Sequence, residues 1–200
     1  MRVIAGRLRG RGLKAPPGDA TRPTGARVKE ALFSILGDVS ELAVLDLYAG
    51  SGALGIEALS RGSSRAVFVE SARPAVAALR DNLDKLGLAG ESKVLPVRAE
   101  AAKSQLASLG PFDLVLCDPP WRDAHLALEL LEALAGPDMG IFSASARLVL
   151  EHAARDEIAP DGGTGALIAA DRRSWGDTAV TIFSVKAHPA DAPVADPSLT

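Results

Sequence analysis

The sequence predicts one α/β domain, a mostly parallel, doubly wound sheet closed by an antiparallel C-terminal hairpin and preceded by a small N-terminal β-hairpin. Three observations carry that expectation. From residue 43 to 151, short apolar runs of strand length alternate with amphipathic stretches of helix length, the rhythm of parallel strands covered on both faces. The last two strand-like runs, 165–173 and 178–185, are separated only by Ser174-Trp175-Gly176-Asp177, so they pair antiparallel. The chain has 200 residues, 48% apolar and 24% charged, the composition of a single globular domain.

Taken in order, Arg2–Gly6 and Gly12–Ala15 read as two short strands about the basic segment Arg7-Leu8-Arg9-Gly10-Arg11. After the Pro16-Pro17-Gly18 break, residues 25–37 place Val28, Leu32, Ile35 and Leu36 at helical spacing, with Arg27 and Lys29 toward the other side. The alternation then runs strand 43–47, helix 52–61, strand 65–70, helix 73–86, strand 92–98, helix 100–109, strand 112–117, helix 125–135 and strand 146–151. Residues 187–200, rich in Pro, Ala and Asp, read as a disordered tail. The expected organisation is a basic hairpin and linker over 1–24, the α/β domain over 25–186 and the tail over 187–200.

Charge is unevenly spread. Residues 1–30 carry eight Lys/Arg against two acids, while the rest holds 14 basic and 23 acidic residues. A basic arm on an acidic body is the distribution expected when one segment meets a polyanion. Its arginines, Arg7, Arg9 and Arg11, flank small residues and turns rather than aromatics, a pattern suited to phosphates more than to stacked bases. No run approaches the roughly 18 apolar residues of a spanning helix, and arginines interrupt the N-terminus before a signal-peptide core forms. A cytoplasmic protein without membrane contact is expected. One cysteine, Cys117, and three dispersed histidines offer no metal-ligand spacing, so no metal is expected either.

Gly50-Ser51-Gly52-Ala53-Leu54-Gly55 follows a strand and opens a helix, and Glu70 closes the next strand twenty residues after Gly50. The spacing matches a dinucleotide fingerprint, but the charge does not. A dinucleotide would set its anionic pyrophosphate on this loop, and Asp46 just before it opposes that charge. A cofactor with a positive centre fits better. S-adenosylmethionine brings an ammonium and a sulfonium, and Glu70 can accept hydrogen bonds from its ribose diol. Glu100, just past the third strand, stands where a carboxylate can reach an adenine amino group; an acid opening a helix is also favoured by the dipole alone.

Asp118-Pro119-Pro120-Trp121 follows the fourth strand, which places it at the carboxyl edge of the sheet beside the cofactor crevice. An exocyclic base amine is a poor nucleophile because its lone pair is conjugated with the ring. A carboxylate from Asp118 and the backbone carbonyl of Pro119, each accepting one N–H, favour the charge that develops during attack. The two prolines stiffen the turn, and Trp121 offers a ring on which an extruded base can stack. Transfer from a sulfonium is then an in-line displacement that mainly demands orientation. Methylation at cytosine C5 would need an activated thiol, and Cys117 ends an apolar strand with no adjacent base or cation.

Together with Arg2-Val3-Ile4-Ala5-Gly6, Arg22-Pro23-Thr24, Arg27-Val28-Lys29-Glu30-Ala31-Leu32-Phe33 and Asp46-Leu47-Tyr48-Ala49-Gly50, these motifs closely resemble the RsmD family. The resemblance spans residues 1 to about 186. It implies a Rossmann-like, S-adenosylmethionine-dependent amino-methyltransferase acting on the N2 amine of a guanine in bacterial 16S ribosomal RNA, free or in a partly assembled small subunit. It further implies that Asp46, Gly50 and Gly52 line the methionine end of the donor, with Glu70 at the ribose and Glu100 near adenine. Tyr48, Ala49 and Thr24 complete the donor site, Asp118 and Pro119 hold the target amine, and the stretch from Arg22 to Arg27 folds over the pocket. Two positions depart from the family pattern: Trp121 stands where Tyr or Phe is usual, and Trp175 where Tyr is usual. The same Asp-Pro-Pro-aromatic motif also serves adenine-N6 and cytosine-N4 methylation of DNA, and the basic arm alone would suit a non-catalytic RNA-binding assembly factor. With no further apolar face in evidence, a monomer is expected.

Overall fold

The computed structural model describes residues 1–16, 25–136, 139–158 and 163–186. Helix α1 (Ala26–Leu36) precedes strand β1 (Ala43–Leu47), α2 (Ala53–Ser60), β2 (Arg65–Val69), α3 (Arg73–Leu86), β3 (Ser92–Leu95) and α4 (Lys103–Leu109). Then follow β4 (Phe112–Cys117), α5 (Ala124–Leu134), β5 (Phe142–Ala153), β6 (Gly163–Thr164), β7 (Leu167–Trp175) and β8 (Thr178–Val185). The strands form one sheet in the order β3-β2-β1-β4-β5-β8-β7-β6. The five strands from β3 to β5 are mutually parallel, and β8 runs antiparallel to both β5 and β7.

Each strand sends alternate residues into one of two apolar layers, as a sheet covered on both faces requires. Leu45, Leu47, Val67, Val69, Val115 and Leu148 pack with Leu106 of α4 and Leu131 of α5. Val44, Phe68, Leu114 and Leu116 pack with Leu32 of α1, Ile56 of α2 and Leu79 of α3. Helix α3 starts with proline in its first turn and stops at Gly87, whose φ of 71° lies in the left-handed region.

Several expected boundaries move. Strand β3 ends at Leu95 instead of residue 98, the helix expected from 100 starts at Lys103 after a short 3₁₀ turn, and β5 is twelve residues long, not six. Pairing with β8 carries β5 past residue 151 to Ala153, and at its other end Phe142 lies opposite Phe112 of β4. The N-terminal hairpin is narrower than two full strands: a single antiparallel bridge joins Arg2 to Gly12. It still closes through Val3 N–H to Arg11 O at 3.0 Å and Gly10 N–H to Val3 O at 2.9 Å. The expected tail, Arg22 and Thr24 lie outside the described residues.

The hairpin is docked rather than free, and a buried charge docks it. Glu57, in the middle of α2 and inaccessible to solvent, accepts hydrogen bonds from the Ile4 and Ala5 amides at 2.8 and 2.9 Å. The same carboxylate pairs with Lys29 of α1 at 3.0 Å and Arg61 at 2.9 Å. Lys29, expected on the solvent side of α1, is therefore buried, while Ile35, expected in its apolar stripe, is 38% exposed. Lys29 Nζ also donates to Arg2 O and Ala53 O. Burial pushes the Lys29 amine down against the pull of Glu57. For Glu57 burial pushes upward, but the Ile4 amide and Lys29 outweigh it, and the carboxyl stays below its usual range.

Removing one partner from such a group leaves a buried charge unpaired, at a cost of roughly 3–5 kcal/mol. Glu57→Gln should lower the melting temperature by roughly 10 °C, measured by thermal unfolding. Glu91→Gln, which removes the acid beside the half-exposed Arg7, should shift it little.

Candidate active site

The register of the central strands assembles the site. Leu47 of β1 lies opposite Val69 of β2 and Cys117 of β4, so the next residues, Tyr48, Glu70 and Asp118, leave three adjacent strands at one level. Adjacent strands lie about 4.8 Å apart. Strand β1 is also where the winding reverses, because β2 and β3 lie to one side of it and β4 and β5 to the other. The carboxyl end of such a strand is where an open α/β sheet leaves a crevice.

The glycine loop shapes one wall. Gly52 has a φ of 82° and caps α2, and a side chain on it would overlap Leu79 Cδ1 at 2.4 Å. At Gly55 a Cβ would meet the Phe68 ring at 2.4 Å, so only glycine lets α2 approach the sheet here. Gly50, with a φ of 56°, has open space where its side chain would be.

The loop amides are largely committed. Asp46, fully buried, accepts from Gly55 N–H at 2.9 Å. Glu70 accepts from Gly50 N–H at 2.8 Å through one oxygen and from Ala72 N–H at 2.7 Å through the other. Gly52 N–H donates to Ala49 O at 2.7 Å. An anionic pyrophosphate would find these donors already taken. A carboxylate has about four acceptor positions, so Glu70 keeps capacity for hydroxyl donors.

Acidic groups gather in the crevice. Burial pushes the Asp46 carboxyl up to about 8, and Asp118 and Glu70 add to that against the Gly55 hydrogen bond. Tyr48 holds a left-handed φ of 58°, a strained setting for a side chain of its size. Its phenol is pushed up by burial and by the nearby Cys117, Glu100 and Asp123, and it hydrogen-bonds Glu100. Glu100, itself half-exposed, pairs with Arg98 at 3.3 Å.

Asp118 follows β4, its amide N–H directed at Leu47 O at 3.5 Å. Pro119 is buried, and Trp121 opens a 3₁₀ turn fixed by Asp123 N–H to Pro120 O at 2.7 Å. Arg27, at the start of α1, is exposed. The other basic residues lie farther off. The hairpin tip meets the far end of α2, where Arg7 N–H donates to Ser60 O and Leu8 N–H to Ser60 Oγ. Eight helical residues, about 12 Å, separate that end from the glycine loop. Arg7 pairs with Glu91, and Arg11 donates to Lys85 O, so the structure brings Asp46, Tyr48, Gly50, Glu70 and Asp118 together and leaves Arg7, Arg9 and Arg11 at the opposite edge.

Two polar residues near the site escape a motif reading. Glu57 is an acid amid Ile56, Ala58 and Leu59, and that apolar setting was its only signal. Asn82 of α3, 1% exposed, donates to Ser51 O in the glycine loop and to Lys14 O in the hairpin, and accepts from Lys14 N–H. Nothing in the periodicity of α3 marks it.

A doubly wound sheet with an acid-lined, glycine-walled crevice at this switch point defines a Rossmann-like methyltransferase fold. The solved structure of Escherichia coli yhhF, provisionally named a methyltransferase, shares it with a TM-score of 0.77 and 33% identity, covering 94% of this chain and 99% of that one. The family model described as Conserved hypothetical protein 95 matches residues 1–184, and the chain belongs to that family, the RsmD family. The Ribosomal RNA small subunit methyltransferase D of E. coli is 40% identical over 135 residues, 66% of this chain and 67% of that protein. Bacillus subtilis YlbH, provisionally named an rRNA methyltransferase, is 35% identical over 187 residues, 92% of this chain and 98% of that one.

Cys117 is buried, and burial pushes its thiol well above the ordinary range, with Asp118 and Asp46 adding to the effect. Iodoacetamide should therefore alkylate Cys117 only after unfolding. Rapid labelling of the native protein, read by mass spectrometry, would show an accessible thiolate instead.

Proposed function

We propose that this chain transfers a methyl group from S-adenosylmethionine to the exocyclic N2 amine of a guanine in 16S ribosomal RNA, free or in a partly assembled small subunit. The observation that carries this reading is the convergence of Asp46, Glu70 and Asp118 on a glycine loop whose amides are already bonded. That crevice favours a cation and opposes a pyrophosphate. The residues fit the donor: Asp46 beside its ammonium and sulfonium end, Gly50 and Gly52 along its backbone, Glu70 at the ribose diol, and Glu100, steadied by Tyr48, at adenine. Ala49 and Thr24 belong to the same site.

Bound there, S-adenosylmethionine supplies a methyl group on a cationic, readily displaced sulfur. The chain's part is orientation and charge. Asp118 and the Pro119 carbonyl each accept one amine N–H, which draws the nitrogen lone pair out of conjugation and toward the methyl carbon; the C–N bond forms as the C–S bond breaks, and the proton the nitrogen sheds passes by way of the Asp118 carboxylate to water. Trp121 stacks on the purine after it leaves its helix, and Pro120 keeps the turn rigid. Arg22 and Arg27 close over the pocket, and Arg7, Arg9 and Arg11 hold RNA phosphates. The family names support the RNA substrate, and we read the protein as a cytoplasmic monomer.

Asp118→Ala should cut methyl transfer to ribosomal RNA by at least about 100-fold and leave calorimetric S-adenosylhomocysteine affinity within a factor of about three. Undiminished turnover by that variant would remove Asp118 from the mechanism. A second prediction concerns pH. Below about 8 the Asp46 carboxyl is protonated in the free protein, whereas a cationic donor favours its ionised form. Donor binding then releases a proton, and affinity rises by up to about tenfold per unit between about pH 6 and 7.5. Calorimetry in buffers of different ionisation enthalpy measures this linkage, and Asp46→Asn should abolish it.

A further inference from the structure

A second recess lies on the far side of α2 from the glycine loop. It is a surface cleft of about 490 Å³ between the hairpin and α1, lined by Ile4, Ala5 and Gly6 together with Arg9, Glu30, Ser34 and Arg61. Its hairpin wall is rigidly built. The Ile4 and Ala5 amides are bound by Glu57, Ser60 Oγ donates to Ala5 O at 2.6 Å, and a side chain on Gly6 would overlap Ser60 O.

The charges facing the cleft are uncommitted where their neighbours are not. Arg7 pairs with Glu91, Lys14 with Asp81, and Arg11 with a backbone oxygen. Among the described residues, Arg9 and Glu30 have no ion pair, with each other or with anything else. Arg61 commits its Nε to Glu57 and lies over the Phe33 ring at 4.7 Å, which leaves its terminal nitrogens as donors. With Glu57 and Lys29 counted, this region carries one net positive charge, the complement of one phosphodiester.

We propose that this cleft holds one ribonucleotide sugar-phosphate of the RNA outside the target guanine. Arg9 and Arg61 take the phosphate oxygens, and Glu30, with Ser34 beside it, accepts the ribose 2′-hydroxyl. A carboxylate would repel a phosphate standing alone, but a 2′-hydroxyl is a donor that DNA lacks. The cleft therefore selects RNA over DNA at a distance from the methyl-transfer centre. This deepens the proposed function and rests on RNA being the substrate.

The test is binding of fluorescent small-subunit ribosomal RNA and of single-stranded DNA of the same sequence to the full chain, across a salt series. Arg9→Gln should weaken RNA binding about tenfold and reduce the salt slope by about one unit. Glu30→Ala, which removes the acceptor as well as the charge, should weaken RNA binding several-fold and leave DNA binding unchanged or tighter, so that the preference for RNA collapses. S-adenosylhomocysteine affinity of both exposed-site variants reports that the fold is intact. If the wild type prefers RNA and both variants keep that preference and slope, the cleft inference is overturned while the RNA substrate stands. Equal wild-type binding of RNA and DNA would also overturn the cleft inference, whereas the RNA substrate itself falls only if no methyl group is transferred to RNA.

Discussion

The position of the glycine loop depends on a carboxylate in the wrong place for ordinary helix packing. Glu57 sits on α2 with no access to water, and a charge so placed must be surrounded by donors. The fold supplies them from three directions: two hairpin amides, Lys29 of α1 and Arg61 at the end of α2. Hairpin, α1 and α2 are thereby fixed as one body, and the glycine loop is the head of that body. Asn82 adds a second tie, from Lys14 to Ser51. The basic segment is thus part of the frame that holds the glycine loop.

That frame presents a cluster of acidic groups. Glu70 and Asp118 leave the strands on either side of β1 at one level, and Asp46, inside β1, is pushed up to about 8 by burial. A cationic ligand relieves this arrangement, whereas a polyphosphate aggravates it. The same glycine spacing that serves dinucleotides on other chains is here turned to the opposite charge by two residues, Asp46 and Glu70, which occupy loop amides a phosphate would use. The amine recognition proposed for Asp118 follows the same logic, since an exocyclic amine offers donors and gains positive character as it reacts.

Much of this was legible in the sequence for a simple reason: strands β1, β2 and β4 are short apolar runs whose two faces are both buried, and motifs at their ends inherit one location. The alternation put Asp46 in β1 and Glu70 and Asp118 at the ends of β2 and β4, where the structure also has them, and α3 matched its expected bounds of 73–86. What failed was long-range polar pairing. Lys29 looked like a surface cation because helical periodicity says nothing of a partner twenty-eight residues away in α2. The hairpin looked like a free arm because its anchors are backbone amides, which leave no trace in composition. The ends of β5 were set by its partners, by β4 at Phe142 and by β8, late in the chain, at Ala153.

The central claim is that the acid-lined crevice performs methyl transfer to an RNA amine. The most direct measurement is transfer of labelled methyl from S-adenosylmethionine to small-subunit particles and naked ribosomal RNA from cells lacking this protein, with DNA in parallel and nucleoside analysis of the product. The account predicts N2-methylguanosine at one site in ribosomal RNA and no label in DNA. Label confined to DNA, or no label anywhere despite tight donor binding, would contradict it.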